Sequence, residues 1–534
     1  MGRWDCQTRD RPVGPAGHRP DREEIEVPRS TSPGTALVER ARLVRVGRPT
    51  PYAEPMDIRI TGNRVAAVAP RLAPRAGELV LHADGRWAIP GLWDQHVHLL
   101  SWAQTRTRLD LSGSSGPNDV VARVAQHLGP GPDLPAGSWV FGHGYRSATW
   151  ADPPTVAQLD AVSGDHPVAL TSGDGHNGWL NSRALAALGA RPAAGALREG
   201  EWFALAPALA ALATGPDDDA LRSAVTDAAS RGVVGIVDLE LTSSYLDWPE
   251  RFARGIDALR VRAAVYPDRL EDAVSAGLRT GQPLVDSGLA TMGPLKIISD
   301  GSLNTRTAFC TEPYADGEGL GSPRGQQNYD RRQLQELLGQ ARDSGLEVAL
   351  HVIGDAAVTY ALDAFAVTGA RGSIEHAQLM HRSDIDRMGE LGIRASVQPA
   401  HLLDDRDVTA RCWPDRADRC FPFRSLLTAG VPLVFGSDAP VAPLDPWLAM
   451  AAAVHRSGDQ RPPWNPAEAL TAAEALAAST DGETTVAPGS RGDLVLLDAD
   501  PLLPVGDSAA VAARLRSLRV AATLVAGRLI HSTL

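Results

Sequence analysis

Eight short apolar runs, separated by helix-like stretches and several ending in a metal-binding residue type, constrain this chain more than any other feature. They lie near Ala88-Ile-Pro-Gly-Leu-Trp93 and at Val233–Asp238, Val261–Tyr266, Leu295–Ser299, Glu347–His351, Gly372–His376, Arg394–Gln398 and Pro432–Asp438. Ala/Leu/Arg/Glu segments between the runs read as helices, so the pattern is that of βα units around a parallel sheet. Eight such units predict an α/β fold, a (β/α)8 TIM-like barrel over residues 89–484. Residues 35–88 and 485–534 instead alternate apolar and polar positions between turns, which predicts a small β-sandwich assembled from both chain ends. Residues 100–230, between the first and second runs, are far too long for an ordinary βα connection. They carry strand candidates of their own and are expected to lie over the barrel mouth like a lid. Residues 1–34, rich in Arg, Pro, Gly and Asp, read as a disordered leader.

Composition removes several classes of function. The net charge of −12 without basic clusters argues against nucleic acid and anionic membranes as partners. No apolar run approaches the roughly 18 residues of a membrane span. No Gly-rich phosphate loop occurs. The four cysteines, Cys6, Cys310, Cys412 and Cys420, have no CxxC spacing and read as reduced thiols, which places the protein in the cytoplasm by default. Alanine-rich helices outside a barrel would suit a homodimer.

Of 52 Lys and Arg residues, only Lys296 is a lysine. A guanidinium serves wherever a solvated cation is needed, but never as a neutral nucleophilic amine. Lys296 sits in the fourth run, His96 and His98 close the first, His351 the fifth, His376 the sixth and Asp438 the eighth. Alternate residues of a strand share a side, so His-x-His can place two imidazoles on one cation. Four histidines and a carboxylate exceed what one tetrahedral zinc requires. An ammonium has no lone pair for a metal, whereas a lysine that has captured CO₂ is a carbamate able to bridge two cations. Taken singly, each feature has a plain alternative: a structural His pair, a helix-capping Ser-Asp, or Lys296 paired with Asp300.

With these residues in order, the chain resembles the metal-dependent amidohydrolases, and within them the group that includes N-substituted formamide deformylases. The resemblance rests on Pro90-Gly-Leu-Trp-Asp-Gln-His-Val-His-Leu, Ser172-Gly-Asp-Gly-His-Asn-Gly-Trp-Leu-Asn-Ser and Lys296-Ile-Ile-Ser-Asp-Gly-Ser-Leu. It continues through Thr305-Arg-Thr-Ala, His351-Val-Ile-Gly-Asp, Ile374-Glu-His-Ala-Gln, Ser396-Val-Gln-Pro-Ala-His and Phe435-Gly-Ser-Asp-Ala-Pro-Val. It implies one or two divalent metal ions, usually zinc, and the ligand set here is read as two zinc ions per chain. His96, His98 and Asp438 would hold the more buried ion, and His351 and His376 the second, with Lys296 N6-carboxylated between them. The chain departs from the usual pattern at Trp93, Gln95, Asn304 and His455. None of these removes a ligand, and they are expected to bear on the substrate.

The expected activity is hydrolysis of a non-peptide C–N bond in a small amide or N-substituted formamide by a metal-bound hydroxide. Asp438 would move the proton and His401 would stabilise the oxyanion or orient the substrate. His143, Asp174, His176, Trp179 and Asp300 are expected at the substrate. The alternative within the same superfamily is a cyclic amidase or an amino-heterocycle deaminase.

Overall fold

The computed structural model of the protein describes residues 34–46, 54–129, 134–205, 208–209, 212 and 218–534. Apart from Gly34, the expected leader lies outside them. The described chain opens with β1 (Thr35–Leu43), β2 (Met56–Thr61), β3 (Arg64–Ala69), β4 (Leu79–His82) and β5 (Trp87–Pro90). Its last strands, β19 (Leu494–Leu497), β20 (Val520–Val525) and β21 (Arg528–Ser532), join the same sheet in the order β21-β20-β19-β5-β1-β2-β3, with β4 on β1. Strand β1 bends at Arg40, where φ is 58° and the register with β2 shifts. Its first half then pairs with β4 and its end with β5. The core of this unit joins Ile58, Ile60 and Val65 to Leu494, Leu496 and Leu524, so neither chain end completes it alone. Each such side chain contributes about 1.5–3 kcal/mol on burial.

The barrel begins at β6 (Leu92–Val97) and resumes with β12 (Val233–Asp238), β13 (Arg260–Val265), β14 (Ala290–Ile298), β15 (Val348–Val352), β16 (Gly372–His376), β17 (Arg394–Val397) and β18 (Leu433–Phe435). Neighbours pair in parallel around the ring, and a bridge from Val97 to Ala439 links the last strand end to the first. Every residue of β12, β15 and β16 is buried, as strands covered on both faces require. Helices between them carry ordinary stop and start signals. Arg331–Ser344, for example, starts with a capping box at Asp330 and ends at Gly345, whose φ of 76° suits glycine.

Two sequence expectations are corrected here. The run expected as the first barrel strand divides at Gly91: β5 belongs to the outer sheet and only β6 to the barrel. Helix Asp218–Ser230, expected within the insertion, packs on β12 as a barrel helix does.

The remainder of the insertion carries its own sheet of β7 (Leu109–Asp110), β8 (Val140–Tyr145), β9 (Val168–Ser172), β10 (Asn177–Leu180) and β11 (Leu197–Arg198). It lies against the carboxyl ends of the barrel strands. Arg146 from it reaches the carbonyl of Val441 at 3.0 Å, and Arg306 from the barrel reaches that of Ala148 at 3.2 Å. Among the described residues no helix is long and apolar enough to cross a membrane.

Alternation within β6 decides which motif residues face the mouth. Asp94 and His96 point inward. Trp93 points outward beneath the guanidinium groups of Arg262 and Arg491, whose central carbons lie 4.3 and 5.4 Å from its ring centre. Gln95 donates to Asp481 at 3.0 Å. His455 is also remote, its ring bonded to Ser508 at 3.1 Å. Of the four atypical positions only Asn304 lines the cleft, so Trp93, Gln95 and His455 are not in a position to select a substrate.

Candidate metal centre

The ends of β6 and β18 are laced together. Asp94 accepts the backbone N–H of His96 at 3.1 Å and of Ser437 at 2.9 Å, and the N–H of Asp438 reaches the His96 carbonyl at 2.7 Å. Burial pushes the Asp94 carboxyl up to about 6, against the hydrogen bonds from Ser437 and His96. Gly436 makes this approach feasible, since a β-carbon there would stand 2.7 Å from both the Cβ and the N of His96. Gly436→Ala is therefore expected to destabilise the fold by about 1–3 kcal/mol and to lower metal occupancy, read by thermal melting and elemental mass spectrometry. A fully loaded variant of unchanged melting temperature would contradict this.

Two groups of candidate metal ligands meet on Asp438. In the first, His96 Nε2 and His98 Nε2 each lie 3.3 Å from Asp438 Oδ1. In the second, His376 and His401 approach the same carboxylate, with His401 Nε2 3.8 Å from Oδ2. His376 Nδ1 and His401 Nε2 are buried with no hydrogen-bond partner among the described residues. Buried nitrogens without hydrogen-bond partners, on two histidines that gather at one carboxylate, are a donor set that suits divalent metal. His401, expected as an oxyanion group, is thus a candidate ligand as well. The His351 and His376 ring centres are 4.5 Å apart, which brings His351 to the edge of the same site.

The electrostatics match that use. Burial first, then neighbouring cationic groups, holds His96 and His376 well below the ordinary imidazole range and His351 at about 3, so all three offer neutral donors. Burial opposes charge on His98 too, but its bond to Asp438 outweighs this and raises it. Asp438 stays ionised: burial works against its charge, but the hydrogen bond from His98 outweighs this and drives its pKa far down. His376 and Asp438 both sit in the left-handed region, at φ 72° and 57°. Such strain in non-glycine residues persists where the surroundings over-determine it and clusters at functional sites.

Lys296 is buried, and burial lowers its pKa. Its Nζ lies 3.4 Å from His96 Nε2. Glu375, absent from the sequence reading, lies at 2.7 Å from His96 Nδ1 and orients that ring so that Nε2 faces the site. Strand register explains both Glu375 and His376. Ile298, His351, Glu375 and Ser396 pair across adjacent strands and so share one face. His376, one residue further, would face outward in a regular strand and turns in through its left-handed backbone.

A cleft of about 430 Å³, counted to its open mouth, lies above these groups. His351, His376, His401 and Asp438 form its floor, and its walls include Asp174 and His176, Ser302 and Asn304, Gln378 and Asp405. Asp174 and His176 thus line the cleft. Three other substrate expectations are corrected. Trp179 is wholly buried in the insertion's own core, its indole N–H donated to the Thr155 carbonyl at 2.9 Å. Asp300 is wholly buried and accepts the backbone N–H groups of Phe309, Ile353 and Gly354 at 3.0, 3.1 and 2.9 Å, so it anchors loops. His143 is half-buried and does not line the cleft; burial, then Arg108 and Arg146, lowers it to about 4.

The amidohydrolase family's sequence profile matches residues 80–531. The chain belongs to the amidohydrolase family. It is 29% identical to YtcJ of Bacillus subtilis (strain 168) over 518 residues, covering 90% of this chain and 95% of that one. It is 25% identical to the N-substituted formamide deformylase of Arthrobacter pascens over 523 residues, 88% of this chain and 93% of that one. Among solved structures, an uncharacterized metal-dependent hydrolase from Pyrococcus horikoshii OT3 superposes with a TM-score of 0.72 at 25% identity, over 88% of this chain and 99% of that one. Membership of this family makes the protein a hydrolase, and the buried His/Asp groups of the barrel mouth are its candidate metal ligands.

Proposed function

We propose that the protein hydrolyses a C–N bond outside peptides, in a small amide or N-substituted formamide, with Asp438 as the proton carrier. The observation that supports this most is the convergence of both ligand groups on that one ionised carboxylate beneath an open polar cleft. Divalent metal, two zinc ions in this reading, would acidify water and polarise the scissile carbonyl. His96, His98 and Asp438 would hold one ion. His376 would hold the other with His351 and a carboxylated Lys296, and His401 stands close enough to share it.

The chain's own groups then divide the work. Asp438 takes a proton from the attacking water and delivers it to the departing nitrogen, so that acid and amine leave in balance with one water consumed. Glu375 keeps the His96 ring turned toward the site. His176 and Asp174 meet the substrate from the insertion side. Arg146, tied to Asp404 at 2.8 Å, frames the opening. Apolar contacts in the cleft come from Leu303, Ile353 and Val441, with no aromatic ring besides the histidines among the described residues, which favours a small polar substrate.

The test is elemental analysis of protein purified without chelators, followed by assay on N-substituted formamides and small amides. About two equivalents of zinc with release of acid and amine are expected. Ammonia release from a heterocycle alone would transfer the reading to a deaminase. Absence of metal after reconstitution with zinc and bicarbonate would overturn it.

A further inference from the structure

The loop after the Lys296 strand holds the insertion at one buried carboxylate, that of Glu199. Its oxygens lie 3.1 and 3.2 Å from His176 Nδ1. The hydroxyls of Thr305 and Thr307 donate to it at 2.5 and 2.8 Å, and its own backbone N–H bonds the His176 carbonyl at 3.0 Å. Glu199 and His176 belong to the insertion, whereas both threonines belong to the barrel. Glu199 is also one of the non-glycine residues in the left-handed region, at φ 44°. Arg306 between the two threonines is another, at φ 58°, and its guanidinium reaches back to the Ala148 carbonyl. The Thr305-Arg-Thr motif is thus the catch that receives the insertion, and strained backbone stands on both sides of it. Such strain is typical of clamps.

The consequence falls on His176. With Nδ1 held by Glu199, its other nitrogen is the one free to serve the cleft, where its ring lies 6.0 Å from that of His351 and edge-on to Phe203. We infer that Glu199 is a positioning residue for the hydrolytic reaction: it docks the insertion on Thr305 and Thr307 and aims His176 at the bound substrate. The carboxylate touches no substrate itself. This rests on the amide-hydrolase reading, although the docking it describes does not.

The test uses the metal-loaded full chain and two readouts. Kinetics on an N-substituted formamide come first, for Glu199→Ala, His176→Ala and the double variant. Each single change is expected to lower kcat/KM by about 10- to 100-fold with metal content unchanged. The double variant should lose far less than the product of the two single effects, because Glu199 aims the group that His176→Ala removes. Glu199→Gln, which keeps an acceptor oxygen, should recover part of the loss. Fully additive effects of Glu199→Ala and His176→Ala would overturn the proposal. Hydrogen exchange across residues 172–180 and 197–203 is the second readout and needs no substrate. Thr305→Val with Thr307→Val should raise it about tenfold or more, whether or not Glu199→Ala folds. Unchanged exchange in that variant would overturn the docking. Faster exchange in a protein that cleaves no amide would leave the docking standing and remove the function assigned above.

Discussion

Asp438→Asn is expected to retain most of its metal and lose at least about 10³-fold in kcat, roughly 4 kcal/mol of transition-state stabilisation. The amide keeps an oxygen where Asp438 Oδ1 stands, 3.3 Å from both His96 Nε2 and His98 Nε2, so a ligand atom survives. What is lost is a group able to accept and return a proton. In the wild-type chain the hydrogen bond from His98 holds the carboxylate ionised despite burial. Elemental analysis beside steady-state kinetics checks both halves. An Asn variant of near-normal kcat would take the proton-carrying role away from Asp438. A metal-free variant would show that the residue acts chiefly as a ligand.

Lys296→Arg is the second large effect: loss of about one metal equivalent per chain and a fall in activity of about 100-fold or more. Arginine preserves positive charge and approximate length, so a purely electrostatic or packing role for Lys296 would survive the change. A bridging role would not, because a guanidinium neither deprotonates nor captures CO₂. The lysine's burial, which lowers its pKa, favours the neutral amine that carbamate formation needs. Carbon-13 NMR after incubation with labelled bicarbonate has an unusually simple reading here. With one lysine in the chain, a side-chain carbamate signal can come only from Lys296. Full metal content and activity in Lys296→Arg would rule out the bridge.

Much of the site was legible in one dimension. Strand ends are places where an apolar run stops, and polar ligand types standing there are conspicuous, which is how His96, His98, Lys296, His351, His376 and Asp438 could be named. Residues whose role depends on register were not legible. Glu375 follows two apolar or small positions and looks like any buried acid until β15 and β16 are paired, when it proves level with His351 and faces His96. Glu199 had no signal, since its partners on the barrel lie more than a hundred residues away, at Thr305 and Thr307. Trp179 and Asp300 misled in the opposite sense. They sit inside motifs that carry chemistry, yet one fills a core and the other accepts backbone N–H groups.

The order and spacing of apolar runs determined the barrel, the composite outer sheet and the ligand types, because periodicity and residue chemistry are local properties. Which side each of those residues faces was decided by tertiary structure. The left-handed turn at His376, the close approach at Gly436 and the bridge from Val97 of β6 to Ala439 beyond β18 are fixed only when distant segments pack and their backbone hydrogen bonds are satisfied together.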